Sequence, residues 1–267
     1  MAQPGRVLII AGSDSGGGAG IQADIKTVTA LAGYASTAIT ALTVQDTRDV
    51  YAVHEVPSDI VRQQIDVVLA DIGADCIKTG MLHRREVIET VADALADKAA
   101  DIPLVADPVM VAKGGARLLD PSTIEVLKER LVARATVLTP NIPEAEVLTG
   151  ITIRNVDEMV EAAHALVTLG PRAVLVKGGH LTGDTLSDVL LCDGEIEVLS
   201  GPRIETRHTH GTGCTMASAI ATGIAQRRGI PASVRMARDY VTTAIRTAPG
   251  IGSGHGPLNH AHTVSST

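Results

Sequence analysis

Residues 6–27 read RVLIIAGSDSGGGAGIQADIKT, and the fold turns on how this stretch is understood. Its first seven residues form a short apolar run, the pattern of a strand covered on both faces, as in a parallel sheet. Gly16, Gly17, Gly18 and Gly20 follow, and then a helical pattern begins. A loop of this kind lets backbone come close to a ligand, and the helix start offers free N–H groups. Residues 18–23, GAGIQA, also fit the dinucleotide fingerprint G-x-G-x-x-G/A. The next strand-like run, STAITALTV, leads to Gln45 and then Asp46 rather than to a convincing ribose-binding acid. No G-x-x-x-x-G-K-[ST] occurs, which excludes a Walker-type phosphate loop.

The same alternation continues along the chain. IPLVADP, ATVLTP and AVLVKGG read as further buried strands. Between the strands lie helical repeats: Val61, Ile65, Val68, Leu69 and Ile72 after a candidate N-cap at Ser58; Val87, Ile88, Val91 and Leu95; Ile124, Leu127 and Leu131; Val156, Met159, Val160, Ala163 and Val167. Strand alternating with helix predicts βαβ units, a mostly parallel sheet and helices on both of its faces. LSDVLLCDGEIEVLS differs, with two strand-like runs around Asp193-Gly194, a hairpin signal. No linker, repeat or low-complexity segment divides residues 1–267, so one domain is expected.

Composition excludes several classes of function. The formal charge of -7 is spread along the chain, without a basic patch interleaved with aromatics, so nucleic acid is not an expected partner. No apolar stretch approaches the roughly 18 residues of a membrane span. Cys76, Cys192 and Cys214 are far apart and odd in number, which fits a reducing cytoplasm rather than a disulfide framework. There is no Phe or Trp and only three Tyr, so the core must be aliphatic. His208, His210, His255, His260 and His262 suggest no zinc site, because no pattern makes the two groups converge.

The ends of the predicted strands carry the chemistry. They read AGSDSGGGAG, IKTGM, ADPVM, LTPNIPE and VKGGH, and in open α/β sheets ligands bind at such carboxyl ends. A second glycine loop, HGTGC at 210–214, opens a helix of small and apolar residues. The N–H groups of Gly211, Thr212, Gly213 and Cys214 would point at one spot and form an anion hole for a phosphoryl group. Cys214, in the first turn, would have its thiol pKa lowered by the helix field and could act as a base. A small buried apolar residue is the equally plain alternative for that cysteine.

Taken together, AGSDSGGGAGIQADIKT, ITALTVQDT, IKTGML, ADPVM, LTPNIPEAEVL, VLVKGGH and THGTGCT resemble, in order and spacing, the bacterial hydroxymethylpyrimidine/phosphomethylpyrimidine kinases of thiamine biosynthesis. These belong to the pyridoxal-kinase branch of the ribokinase-like superfamily. The resemblance covers the chain from about Arg6 to the GHGPLNHAH tail. It implies a three-layer α/β/α sandwich. It implies a MgATP-dependent kinase acting on 4-amino-5-hydroxymethyl-2-methylpyrimidine and then on its monophosphate, with pyridoxal or pyridoxine kinase activity as the alternative. It also implies a cytoplasmic homodimer.

By the same resemblance, Gly12, Asp24 and Gln45 hold the aminopyrimidine, and Met81 and Val109 pack on its ring. A Gln amide complements the amino donor and ring-nitrogen acceptor of that ring. Gly211, Thr212 and Gly213 form the anion hole, with Cys214 as base where most of the superfamily carries Asp. Lys177 lies near the ATP phosphates, with Asn141 and Thr209 also assigned to ATP. Glu144, with Asp107 beside it, positions Mg²⁺ through water, which suits an ion that keeps part of its hydration shell.

Overall fold

The computed structural model describes residues 4–110 and 120–264. The opening run forms β1 (Arg6–Asp14), and the glycine loop leads into α1 (Gly20–Ala30). Then follow β2 (Tyr34–Gln45), β3 (Val50–Glu55), α2 (Ser58–Asp71), β4 (Cys76–Thr79), α3 (Arg85–Lys98) and β5 (Leu104–Ala106). After 111–119 come α4 (Pro121–Arg130), β6 (Val137–Leu138), α5 (Ile142–Thr149), α6 (Val156–Val167) and β7 (Ala173–Val176). The chain continues through β8 (Thr185–Cys192), β9 (Glu195–Pro202), α7 (Thr212–Ala225) and α8 (Ile230–Arg246).

One sheet holds all nine described strands, in the order β3-β2-β1-β4-β5-β6-β7-β8-β9. The six strands from β2 to β7 are parallel, while β3, β8 and β9 add antiparallel edges. The β8–β9 hairpin turns at Asp193 (φ 51°) and Gly194 (φ 85°), both left-handed, as a two-residue primed turn requires. The side-chain period of two then sorts the core. Leu8 and Ile10 pack in the layer with α2 to α6, and Val7 and Ile9 in the layer with α1, α7 and α8. Each such fully buried branched side chain contributes about 1.5–3 kcal/mol. The three-layer sandwich expected from the sequence is the observed architecture.

Ser58 is not the cap of α2. It is the first helical residue, and the carbonyl of Pro57 accepts the opening bonds from Ile60 and Val61. More important for function, β1 pairs with β2 on one side and β4 on the other. The crossover direction changes there, which opens a crevice at the carboxyl ends of the strands.

Candidate active site

The first glycine loop does not serve as an anion cradle. Asp14, at the end of β1, accepts hydrogen bonds from the N–H groups of Gly16 (2.8 Å), Gly18 (3.0 Å) and Ala19 (2.8 Å). Gly17 N–H is taken by the Asp14 carbonyl at 2.9 Å. These donors are therefore spent on the protein's own acid, and the dinucleotide reading of GAGIQA fails for that reason. Gly12 sits where the β1–β2 register shifts, between Ala11 and Ser13. A Cβ there would lie 2.5 Å from Met81 Cε, so glycine at this point lets Met81 come in beside the strand end.

The second glycine loop is built differently. Gly211 is the cap residue of α7 with φ 82°, and no side chain caps the helix. A Cβ on Gly211 would meet the Gly18 carbonyl oxygen, so the two glycine loops abut. Thr212 N–H bonds back to the Thr209 carbonyl at 3.3 Å, and the other N–H groups at the start of α7 are left for a ligand in the crevice. Thr209 precedes it, half-buried, and its carbonyl accepts from Thr212 Oγ1 at 2.8 Å. A Cβ on Gly213 would lie 3.2 Å from Lys177 Nζ and 3.6 Å from Asp107 Oδ2. The helix start and these two charges therefore share one spot.

Adjacent strand ends supply those charges. Lys177, just past β7, binds Asp107, just past β5, at 2.9 Å. Thr139 Oγ1 donates to the same Asp107 oxygen at 3.2 Å. Between them, Asn141 and Glu144 form a reciprocal capping box at the start of α5, with bonds of 2.8 and 2.9 Å. Glu144 is 4% exposed. Burial pushes its carboxyl up to about 7, Asp107 pushes the same way, and Lys177 opposes both. A buried acid with a second carboxylate nearby suits a bound cation. Two carboxylates near the uncapped start of α7 match the usual protein share of a Mg²⁺ site, so the residues fit the ion.

Cys214 departs from expectation. Burial pushes its thiol up to about 11, and Asp24 and Asp107 add to this, against Lys78 and the Gly20 N–H. Loss of water around the sulfur outweighs the helix field that the sequence suggested. Beneath Cys214, one turn along α7, Ser218 Oγ donates to Asp24 at 2.7 Å. The other Asp24 oxygen binds Lys78 Nζ at 2.8 Å, and both side chains are fully buried. Burial disfavours the Lys78 charge, but Asp24 together with Cys214 and Asp107 outweighs this and the ammonium is held. Both Asp24 oxygens are thus engaged within the protein, below the crevice.

On the other flank, the Gln45 side chain lies against His210 (3.2 Å), which in turn lies 3.0 Å from Asp14. Val109 is half-buried, and its N–H is bonded to the Asp107 carbonyl at 2.9 Å. The C-terminal tail ties this flank together. His255 N–H donates to the Thr47 carbonyl at 2.7 Å, and His210 N–H to the Gly256 carbonyl at 3.2 Å. His260 Nε2 pairs with Thr215 Oγ1 at 3.0 Å. The two histidine segments, which no sequence pattern joined, therefore meet. Sequence reasoning missed Lys78, Asp14 and Ser218 altogether and did not place His210 in the site. One signal was available: Lys78 follows the apolar pair Cys76-Ile77 within a strand that is buried along its whole length.

Fold and site together define a ribokinase-like kinase of small molecules. The model of the phosphomethylpyrimidine kinase family matches residues 14–259, and the chain belongs to that family. It is 52% identical over 256 residues to the thiamine biosynthesis bifunctional protein ThiED of Geobacter sulfurreducens, a match that covers 96% of this chain and 52% of that protein. It is 48% identical over 258 residues to the hydroxymethylpyrimidine/phosphomethylpyrimidine kinase of Streptomyces coelicolor, covering 96% and 94%. The chain thus spans about half of the first relative and nearly all of the second. Its structure matches Bacillus subtilis pyridoxal kinase, solved as an ADP complex, with a TM-score of 0.90 at 36% identity, covering 97% of this chain and 98% of that one. Among the described residues no helix is long and apolar enough to cross a membrane.

Proposed function

We propose that this chain transfers the γ-phosphoryl group of ATP to the hydroxymethyl oxygen of 4-amino-5-hydroxymethyl-2-methylpyrimidine, and then a second phosphoryl group to the resulting monophosphate in the same site. The observation that carries the reading is the convergence of Lys177, Asp107 and the uncapped start of α7 on one spot. Lys177 and the N–H groups of Gly211, Gly213 and Cys214 offset charge on the transferred group. Asn141 and Thr209 flank the ATP. Asp107 and Glu144 would hold Mg²⁺, which when bound neutralises phosphate charge. Gln45 pairs with the aminopyrimidine edge, and Gly12, Met81 and Val109 shape the wall beside the ring. Asp24 supports the floor through Lys78 and Ser218 rather than reaching the ring itself.

In the first transfer the substrate O–H proton leaves as the new O–P bond forms and the bond to ADP breaks. Cys214 takes that proton. With its free thiol near 11, it is protonated at neutral pH. The cations and N–H groups around it must therefore favour the thiolate within the complex. A loose phosphoryl-transfer transition state asks little of the base, so Cys214→Ser retains part of the activity.

The chain works as one domain over residues 1–267. Its three free cysteines suit the cytoplasm. Family membership supports a homodimer, and exposed Leu42, Val44 and Tyr51 on β2 and β3 offer an apolar face for it. The test is ADP release from MgATP with hydroxymethylpyrimidine, its monophosphate or pyridoxal as acceptor. Turnover with both pyrimidines supports the reading. Turnover with pyridoxal alone, the alternative favoured by the fold match to a pyridoxal kinase, refutes it.

A further inference from the structure

We infer that His210, held by Asp14, is a positioning residue that fixes which way the Gln45 carboxamide faces, and through it the direction of the substrate's hydroxymethyl group. The inference rests on the proposed role of Gln45 as the polar contact of the aminopyrimidine.

The two ends of a carboxamide have nearly the same shape and are told apart by their partners. As placed, Gln45 Nε2 lies 3.2 Å from His210 Nε2, and Gln45 Oε1 lies 3.0 Å from Thr43 Oγ1. His210 Nε2 also lies 3.0 Å from Asp14 Oδ2. Asp14 already accepts from three backbone N–H groups. Burial pushes its carboxyl up, but the bonds from His210, Ala19 and Gly16 outweigh this, and it sits below its ordinary value. It is an acceptor only, so His210 Nε2 must carry the hydrogen. An amide NH₂ facing that N–H sets donor against donor. The conflict repeats at the other end. Thr43 has one hydroxyl hydrogen, yet two acceptors, Ser13 O and Gln45 Oε1, each lie 3.0 Å away.

Turning the amide over resolves both conflicts at once. Its oxygen then accepts from His210 Nε2–H, which it shares with Asp14. Its NH₂ donates to Thr43 Oγ1, whose own hydrogen goes to Ser13 O. His210 and Thr43 act independently and demand the same orientation.

That orientation has a chemical consequence. The amide oxygen takes the substrate's amino group, and the amide NH₂ takes the ring nitrogen beside it. The amino group therefore lies on the His210 side. The hydroxymethyl group is the amino group's other neighbour on the ring, so it lies farther in the same direction. His210 directly precedes Gly211, so this is the direction of the phosphoryl-transfer loop. The opposite amide orientation would send the hydroxymethyl group away from it.

The experiment uses the full chain with MgATP and two acceptors: the aminopyrimidine and its analogue lacking the 4-amino group. His210→Leu is expected to raise KM for the aminopyrimidine about tenfold, the loss of one buried hydrogen bond, and to lower kcat as misdirected substrate occupies the site, with KM for ATP unchanged. KM for the analogue, which keeps only the ring-nitrogen contact, rises less. His210→Gln, whose NH₂ can reach the Nε2 position, restores most of the loss. In a Gln45→Ala background, His210→Leu has no further effect, because the two act as a unit. Additive effects overturn the inference and leave the role of Gln45 standing. An unchanged KM in Gln45→Ala overturns both. Should His210→Leu fail to fold, Thr43→Val tests the other end of the amide; it is expected to raise the same KM, and an unchanged KM overturns the inference. Nitrogen-15 NMR of the unmodified chain is expected to show the Nε2–H tautomer at His210, and the Nδ1–H tautomer overturns it.

Discussion

Replacing Lys78 by Met removes one half of the Lys78–Asp24 pair and leaves the other half stranded. Both side chains are 0% exposed, and their charged atoms are 2.8 Å apart. Asp24 would keep a single partner, Ser218, at 2.7 Å. A carboxylate left so in a fully enclosed site costs about 3–5 kcal/mol when its counter-ion is removed. The companion variant Lys78→Met/Asp24→Leu removes both charges and fills similar volume. It leaves only the Ser218 hydroxyl without its acceptor, a loss of about 1–2 kcal/mol. The double variant is thus expected to be more stable than either single one, with a coupling energy of at least about 2 kcal/mol. Urea unfolding followed by far-UV circular dichroism at neutral pH gives all three values. A single-variant loss under about 1 kcal/mol, or a double variant that equals the sum of the singles, refutes the reasoning. Since Lys78 also favours the Cys214 thiolate, Lys78→Met should slow alkylation of that thiol near pH 9.

Three further outcomes are expected. Iodoacetamide should label Cys214 slowly at neutral pH, with the rate climbing about tenfold per pH unit toward the thiol value of about 11; a titration midpoint near 8 contradicts the burial argument. In metal-free protein, Glu144→Gln should flatten the pH dependence of stability. The native Glu144 carboxyl titrates near 7 rather than 4.5, so the folded state holds that proton more tightly and stability falls as pH rises through this window, by at most about 3 kcal/mol. The same variant should lose at least about tenfold in kcat with MgATP, and thermal melts at pH 5 and 8 together with turnover check both halves. Gly194→Ala should cost about 1 kcal/mol, because φ is 85° there, yet nothing lies within 4 Å of the added methyl and turnover should not change.

The layer architecture was legible because each buried strand is an apolar run of its own. The hairpin was legible because Asp193-Gly194 permits two left-handed residues in succession. The positions of Lys177, Asp107 and Asn141 were legible for a related reason. Each directly follows an apolar strand, and in a parallel sheet all such ends lie on one edge. These are properties of local sequence, and local steric rules suffice to read them. What the first glycine loop does was not legible, since its N–H groups could serve a ligand or a neighbouring acid equally well. Only the turn geometry that folds them onto Asp14 decides between the two.

The remaining features depend on distance across the fold. Lys78 and Asp24 are 54 residues apart, and His210 and Asp14 are 196 apart. No periodicity links such pairs; they meet because β1 and β4 are neighbours and because α7 returns to lie over them. The ionisation of Cys214 is decided in the same way. Sequence placed it at a helix start, where a thiol is acidified, and sequence alone carries no measure of water. Packing around the sulfur removes that water, and desolvation then outweighs the helix field. Local sequence thus determined the elements and the edge of the sheet where chemistry gathers, while the tertiary structure decided which polar groups face a ligand and which are spent on one another.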